Sequence, residues 1–247
     1  MSKKHPQFIN SELYHISFRA VGDSMIFKDD DDHYRGVFSI YEFNTNKSIE
    51  IREQRRQRRI MKASRGGGAS GGLTSGSSSV EDSRDLLVEI LTFCFMPNHI
   101  HLLVRQLQDN GISNFMKKVR GGYASYCNTK YHRKGHLFNR FNAVHIKSND
   151  QLKNVFVYIH VNPISLIEPG WKEKGIKNTP KVIRFLKEKY RWSSFFDYIG
   201  KKNFPSVTVR DFLTEVMGGI TGCKIAIEDW VKYKGEIKDL ENIIVNY

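Results

Sequence analysis

Two histidines, His99 and His101, flank one apolar residue in the run Met96-Pro97-Asn98-His99-Ile100-His101-Leu102-Leu103-Val104. Successive side chains on a β-strand alternate faces, so both imidazoles point one way while Ile100 points into the core. Two adjacent imidazoles are able to hold one divalent cation, and a cation on a rigid strand polarises a phosphoryl oxygen. By itself a His-x-His pair is more often two polar residues on a solvated face. Here the pair opens a core strand, where imidazoles are costly to bury without partners.

A second constellation lies in Val157-Tyr158-Ile159-His160-Val161-Asn162-Pro163. Tyr158 and Asn162 are four apart and share a helix face. A tyrosine, with an ordinary pKa near ~10, is a poor nucleophile. It attacks a phosphodiester when a metal polarises the phosphate and the phenol is held in line. An amide oxygen one turn further on could complete the metal shell. The plainer reading is an amphipathic core helix in which Tyr158 packs and Asn162 caps the C-terminal end.

The elements that must position these groups follow from local patterns. Leu13 to Arg19 reads as a first strand. Asp29 to Asp32 supplies capping carboxylates for a helix over His33 to Phe43. Leu86 to Phe95 and His99 to Arg105 read as neighbouring strands broken at Pro97-Asn98. Gly111-Ile112-Ser113 opens a helix to about Tyr131, with Ser113 as cap, a stripe of Phe115, Val119, Tyr123 and Tyr126, and a weak point at Gly121-Gly122. Arg140 to Lys147 is a short strand, and Asn149-Asp150 caps a helix ending before Pro163. Interleaved strands and helices predict an α+β sheet with helices against one face.

The chain has 247 residues, 40% of them hydrophobic, and a formal net charge of +13. A core of useful size is affordable, and nucleic acid is the partner that so basic a chain most often meets. Arginines and lysines crowd residues 52–65. Further clusters stand at Lys117-Lys118-Val119-Arg120 and Lys130-Tyr131-His132-Arg133-Lys134. No run approaches the roughly 20 apolar residues of a membrane span. The N-terminus lacks an apolar core after its lysines, which points to the cytoplasm. Cys94, Cys127 and Cys223 are odd in number and form no Cys-x-x-Cys pair, which argues against a disulfide framework or zinc ribbon. Between Gly66 and Ser79, 11 of 14 residues are Gly or Ser. That composition cannot pack a core and reads as a flexible insertion, over residues 64–83, in a loop of one domain formed by residues 1–63 and 84–200. Residues 201–247 read as a basic, mostly helical C-terminal extension.

Taken in order, the Pro97-Asn98-His99-Ile100-His101 run, Phe115-Met116-Lys117-Lys118, Tyr123 to Tyr131, Gly135 to Phe141, Tyr158-Ile159-His160-Val161-Asn162-Pro163 and Tyr190-Arg191-Trp192-Ser193-Ser194 resemble the single-tyrosine HUH transposases. Within them the chain resembles the REP-associated tyrosine transposases, from about Leu13 to about Gly200. The resemblance implies a ferredoxin-like α+β core (the HUH endonuclease fold) and a divalent cation, Mg²⁺ or Mn²⁺. His99 and His101 match the histidine pair, Tyr158 the nucleophile and Asn162 the position of a third ligand. Imidazole ligands would also suit Zn²⁺ or Ni²⁺, so the metal's identity comes from the resemblance.

The implied reaction is transesterification on single-stranded DNA near hairpins, with Tyr158 left on a 5′-phosphate. Lys117, Lys118, Arg120, Lys130, Arg133, Lys134 and Arg140 would bind phosphates. Phe138, Phe141 and Trp192 could stack on bases or pack in the core. Tyr123, Tyr126 and Tyr131 are the competing tyrosines. A prokaryotic, nucleoid-associated monomer or homodimer is implied. The rivals are a domesticated, catalytically silent hairpin-DNA-binding protein, a metal-dependent hydrolase and an RNA-binding regulator.

Overall fold

The computed structural model describes residues 7–47 and 84–245. The arginine-rich run and the Gly/Ser-rich insertion lie outside the described residues, between the first helix and the second strand. Four strands form one antiparallel sheet: β1 Leu13–Arg19, β2 Val88–Met96, β3 His99–Gln106 and β4 Asn142–Ile146. Their order is β2-β3-β1-β4, the order of a ferredoxin-like sheet. β2 and β3 form a hairpin through Pro97-Asn98, and the carbonyl of Pro97 accepts the backbone N–H groups of Ile26 and Phe27. That bond ties the hairpin turn to the segment leading into the first helix.

Register decides what the sheet shows on each side. His101 lies opposite Ser17 of β1 and Cys94 of β2; His99 lies opposite Arg19 and Met96. One face therefore carries His15, Ser17, Arg19, His99 and His101. The other carries Ile16, Phe18, Phe95, Ile100 and Leu102, all buried. Two helices cover this apolar face, α1 (Asp30–Glu42) and α2 (Gly111–Lys130). They come close because two positions lack a side chain. A Cβ at Gly36 would overlap the rings of Phe95 and Phe27, and one at Gly122 would overlap the ring of Phe43. α2 runs unbroken through Gly121-Gly122. It starts at Gly111 after Asn110 in the left-handed conformation, with no side-chain cap, so Ser113 lies inside the first turn rather than at its cap.

A third helix, α3 (Asn149–Val161), lies on the histidine face. The expectation of helices on one face describes α1 and α2; α3 adds a layer on the other side. Ser148, not Asn149, caps α3 by accepting from the Gln151 N–H, worth about 1 kcal/mol. Leu152, Phe156 and Ile159 recur at helical spacing and are buried. His160 locks the helix to the sheet: its Nε2 lies 2.9 Å from Ser194 Oγ, and that hydroxyl accepts the Phe93 N–H. Burial pushes His160 down to about 3, so it is neutral.

The exposed edge of β2 is closed by later chain. Phe95 N–H donates to the Trp192 carbonyl, Ser194 N–H to Phe93, and Val209 N–H to Ile90. An open edge would otherwise invite pairing with another chain. The last helix, α4 (Gly219–Val245), buries Cys223, Ile227 and Val231 and sets Trp230 edge-on against Trp171. Residues 201–247 carry seven Lys or Arg and seven Asp or Glu, so the extension is helical but not basic. The positive charge resides in the preceding chain.

Candidate functional site

α3 places Tyr158 over the histidine face. Its ring stands edge-on to His101, with centroids 5.4 Å apart, and to His15, 5.6 Å away. The Tyr158 side chain is 38% exposed, whereas His101 is 5% exposed, so the phenol forms the open wall of the site and His101 its floor. A cleft of about 620 Å³ lies here, lined by Arg19, His99, His101, Arg140, Tyr158, Asn162 and Lys172 among others. The structure thus brings His99, His101, Tyr158 and Asn162 into one cavity from two elements distant in sequence.

Hydrogen bonds set which ring atoms face this cavity. His99 Nδ1 lies 2.6 Å from Asn98 Oδ1, which makes Nδ1 the protonated nitrogen. His101 Nδ1 lies 3.1 Å from His15 Nε2. Burial first, then the neighbouring charges of His99, His15, Lys172 and Arg19, holds His101 well below the usual imidazole range. Burial pushes His15 down to about 4. Both rings are neutral near pH 7, the form that ligates metal. Asn162 sits just past α3, and its Nδ2 donates to the Tyr158 carbonyl at 2.6 Å. The capping reading of Asn162 therefore holds, and the same bond leaves Oδ1 as the amide's acceptor. Among the described residues no group of three or more His, Cys, Asp or Glu is arranged to hold a metal. A third protein donor beside the two imidazoles would be an amide.

The other tyrosines have different work on the opposite face. Tyr123 is buried and donates to the Ile26 carbonyl at 2.6 Å. Tyr126 and Tyr131 both donate to the buried carboxylate of Asp32, at 3.0 and 2.6 Å. The residues expected to bind phosphate divide in the same way. Lys130 is held by Asp29 and Asp32 at 2.7 and 2.8 Å. Lys118 Nζ donates to the carbonyls of Thr45, Asn46 and Lys47 at 2.5–3.2 Å. Arg120 braces the carbonyls of Phe138 and Asn139. Arg140 lines the histidine cleft, and Lys117 lines a second groove of about 450 Å³ along α2 with Arg120 and His136. Arg133 and Lys134 lie in the loop after α2, where the Arg133 N–H returns to the Asn128 carbonyl. Phe138, Phe141 and Trp192 are buried, with Trp192 stacked on His33, so their role here is packing.

Two site residues escaped the sequence reading. His15 could have been found, because Leu13-Tyr14-His15-Ile16-Ser17-Phe18-Arg19 alternates cleanly and sets His15 on the face of Ser17 and Arg19. Lys172 carries no such signal; it reaches the cleft from the short helical turn Trp171–Lys174, and its Nζ lies 5.5 Å from the Tyr158 ring centroid.

The chain thus sets a histidine pair on one strand of an antiparallel α+β sheet and lays a tyrosine helix over it. Residues 79–162 match the family model described as "Transposase IS200 like". That segment contains β2, β3, α2, β4 and α3, hence His99, His101, Tyr158 and Asn162; β1 with His15 lies before it. The resemblance to tyrosine transposases read from the sequence is therefore met by a family match over the site itself. A solved structure, described as that of a REP-associated tyrosine transposase bound to a REP hairpin, aligns over 85% of this chain and 93% of its own, at 13% identity and a TM-score of 0.46. No curated protein matches the chain. Among the described residues, no helix is long and apolar enough to cross a membrane.

Proposed function

We propose that this protein is a single-tyrosine DNA transposase that cuts and rejoins single-stranded DNA near hairpins, with Tyr158 as nucleophile. One observation carries the reading: of the tyrosines in contention, Tyr158 alone stands against the histidine pair, in a cleft whose cationic walls suit a phosphodiester. The Tyr158 oxygen attacks phosphorus, and the bond to the 3′-oxygen breaks. That oxygen leaves with the electron pair and acquires a proton, while the phenol loses one. A 5′-phosphotyrosine and a free 3′-hydroxyl result. Bond energy is conserved in the tyrosyl ester, so a second 3′-hydroxyl reverses the step on a new strand without water or a nucleotide cofactor. Arg140 and Lys172 hold the phosphate, a contribution that is blind to base sequence and weakens with salt.

A divalent cation, Mg²⁺ or Mn²⁺, fits the donor set: Asn98 and His15 engage the Nδ1 atoms of His99 and His101, the Asn162 nitrogen donates to the Tyr158 carbonyl, and the ion would be held by the two imidazoles and Oδ1 of Asn162. When bound, such an ion supplies a Lewis acid toward a phosphoryl oxygen. The test is a gel assay for covalent adducts, with labelled hairpin DNA from the flanks of the protein's own gene, Mn²⁺ or Mg²⁺, and Tyr158→Phe alongside. A metal-dependent band that survives denaturation and vanishes in the variant is expected. Tight binding without an adduct would instead make this a silent hairpin-binding protein, and cleavage that persists in Tyr158→Phe would make it a hydrolase.

A further inference from the structure

We infer that His15, on β1, is a positioning residue that fixes the tautomer of His101 by accepting its Nδ1–H, so that His101 presents the Nε2 lone pair to the cleft. The inference rests on the proposed reading of that cleft as a metal-dependent phosphoryl-transfer site. The geometry is specific. β1 and β3 pair with Ser17 opposite His101, which puts His15 one step diagonally along the same face. The two rings lie nearly parallel, with centroids 5.3 Å apart, and the facing atoms are His15 Nε2 and His101 Nδ1 at 3.1 Å. One of these atoms must carry the proton and the other must accept it.

The direction is decided by what each ring has on its other side. His101 lines the cleft, so a proton on its Nδ1 leaves Nε2 as a lone pair there. The reverse arrangement would aim an N–H at the cation and spend the lone pair on His15. The neighbouring histidine has solved the same problem with a different residue: Asn98 Oδ1 accepts from His99 Nδ1 at 2.6 Å. Each imidazole of the pair thus has its Nδ1 engaged, one by the residue before it in sequence and one by a strand partner 86 positions away. Outer hydrogen bonds of this kind hold ring orientation and raise ligand basicity, and removing one typically costs about 10- to 100-fold in metal affinity.

His15 does not join the ligand set itself, since its Nε2 is the atom committed to His101. Its edge-on contact with Tyr158 adds a second consequence: one side chain touches both the histidine that would hold the cation and the ring that would attack. A change at His15 therefore disturbs both, without deleting either.

The experiment uses the full chain with ¹⁵N-labelled histidine. In metal-free wild type near pH 7.5, His101 should show a protonated Nδ1 and an unprotonated Nε2, and this pattern should be lost in His15→Leu. Mn²⁺ affinity, read by paramagnetic relaxation of water, should fall roughly 10- to 100-fold in His15→Leu. It should recover in His15→Gln, whose amide oxygen falls near the position of Nε2. A His101 that is protonated on Nε2 in wild type overturns the inference, as does wild-type Mn²⁺ affinity in His15→Leu. Failure of His15→Gln to recover affinity while its melting temperature matches wild type also counts against it. Absence of Mn²⁺ binding by wild type would overturn the metal-dependent reading of the cleft, while the metal-free tautomer measurement judges the His15–His101 bond separately.

Discussion

The two faces of the sheet carry similar chemistry put to opposite uses. Behind α1 and α2, Asp32 gathers Tyr126, Tyr131, Lys130 and the Lys28 backbone N–H around one buried carboxylate. Under α3, His99, His101 and Tyr158 line a cleft open to solvent, with His15 against His101 and Tyr158. The first cluster contains two tyrosines and a lysine, the second a tyrosine with Arg140 and Lys172 beside it, and either could pass for a reactive site on composition alone. They differ in how completely their polar atoms are used. The Asp32 cluster is closed: donors and acceptors meet each other. In the histidine cluster, Asn98 and His15 hold the Nδ1 atoms of His99 and His101, and both rings line the cavity. A closed network stabilises; one satisfied on the inside and open on the outside is prepared for a ligand.

The largest test of this contrast exchanges the tyrosines. Tyr158→Phe should abolish covalent adduct formation, by on the order of 10³-fold or more, with unfolding free energy unchanged within about 0.5 kcal/mol. Tyr131→Phe should do the reverse. Loss of its hydrogen bond to a charged, buried acceptor should cost about 1.5–3 kcal/mol in chemical denaturation, with adduct yield unaffected. If the two variants behaved alike, the division of labour between the faces would be wrong.

That division was only partly legible in the sequence. The strand alternation around His99 and the helical spacing of Tyr158 and Asn162 required nothing beyond local periodicity. The sheet order followed from the resemblance. What local pattern could not supply was pairing between elements. Lys118, Arg120 and Lys130 look like phosphate-binding cations because a sequence displays charge without its partner. Their partners, the carbonyls of residues 45–47 and 138–139 and the carboxylates of Asp29 and Asp32, lie far away along the chain. His15 was missed for the related reason that its partner is 86 residues distant. Residues 201–247 differ from the expected basic extension because their seven Lys or Arg are matched by seven Asp or Glu.

Removing the hub of the closed network should give the next largest effect. Asp32→Ala leaves two phenols, an ammonium and a backbone N–H without their acceptor, and should cost about 3 kcal/mol. Acid offers a second route to the same loss. Burial alone would raise the Asp32 carboxyl, but hydrogen bonds from Lys130, Tyr131, the Lys28 backbone and Tyr126 outweigh it and hold its pKa below the ordinary value. A carboxyl whose folded pKa is depressed contributes its stability above the unfolded value, near ~3.9, and loses it as pH falls through the folded value. Denaturation midpoints measured from pH 6 down to 3 should therefore fall more steeply below about pH 4 in wild type than in Asp32→Asn. Parallel curves would mean that Asp32 titrates as an ordinary carboxylate.

The smallest effect separates cations that face the cleft from cations already matched. Arg140 lines the cavity that would receive the strand. Arg140→Ala should weaken binding of single-stranded DNA and lower the slope of log affinity against log salt by about 0.7, the counterion released per phosphate contact on a single strand. Lys118 makes its bonds to three backbone carbonyls at the end of the α1 segment. Lys118→Ala should leave the salt slope unchanged and instead lower stability by about 1 kcal/mol. Fluorescence anisotropy with a labelled oligonucleotide, at salt concentrations spanning a decade, resolves such a change in slope. Equal slopes for Arg140→Ala and wild type would remove Arg140 from the DNA path, and a reduced slope for Lys118→Ala would show that its carbonyl bonds yield to phosphate.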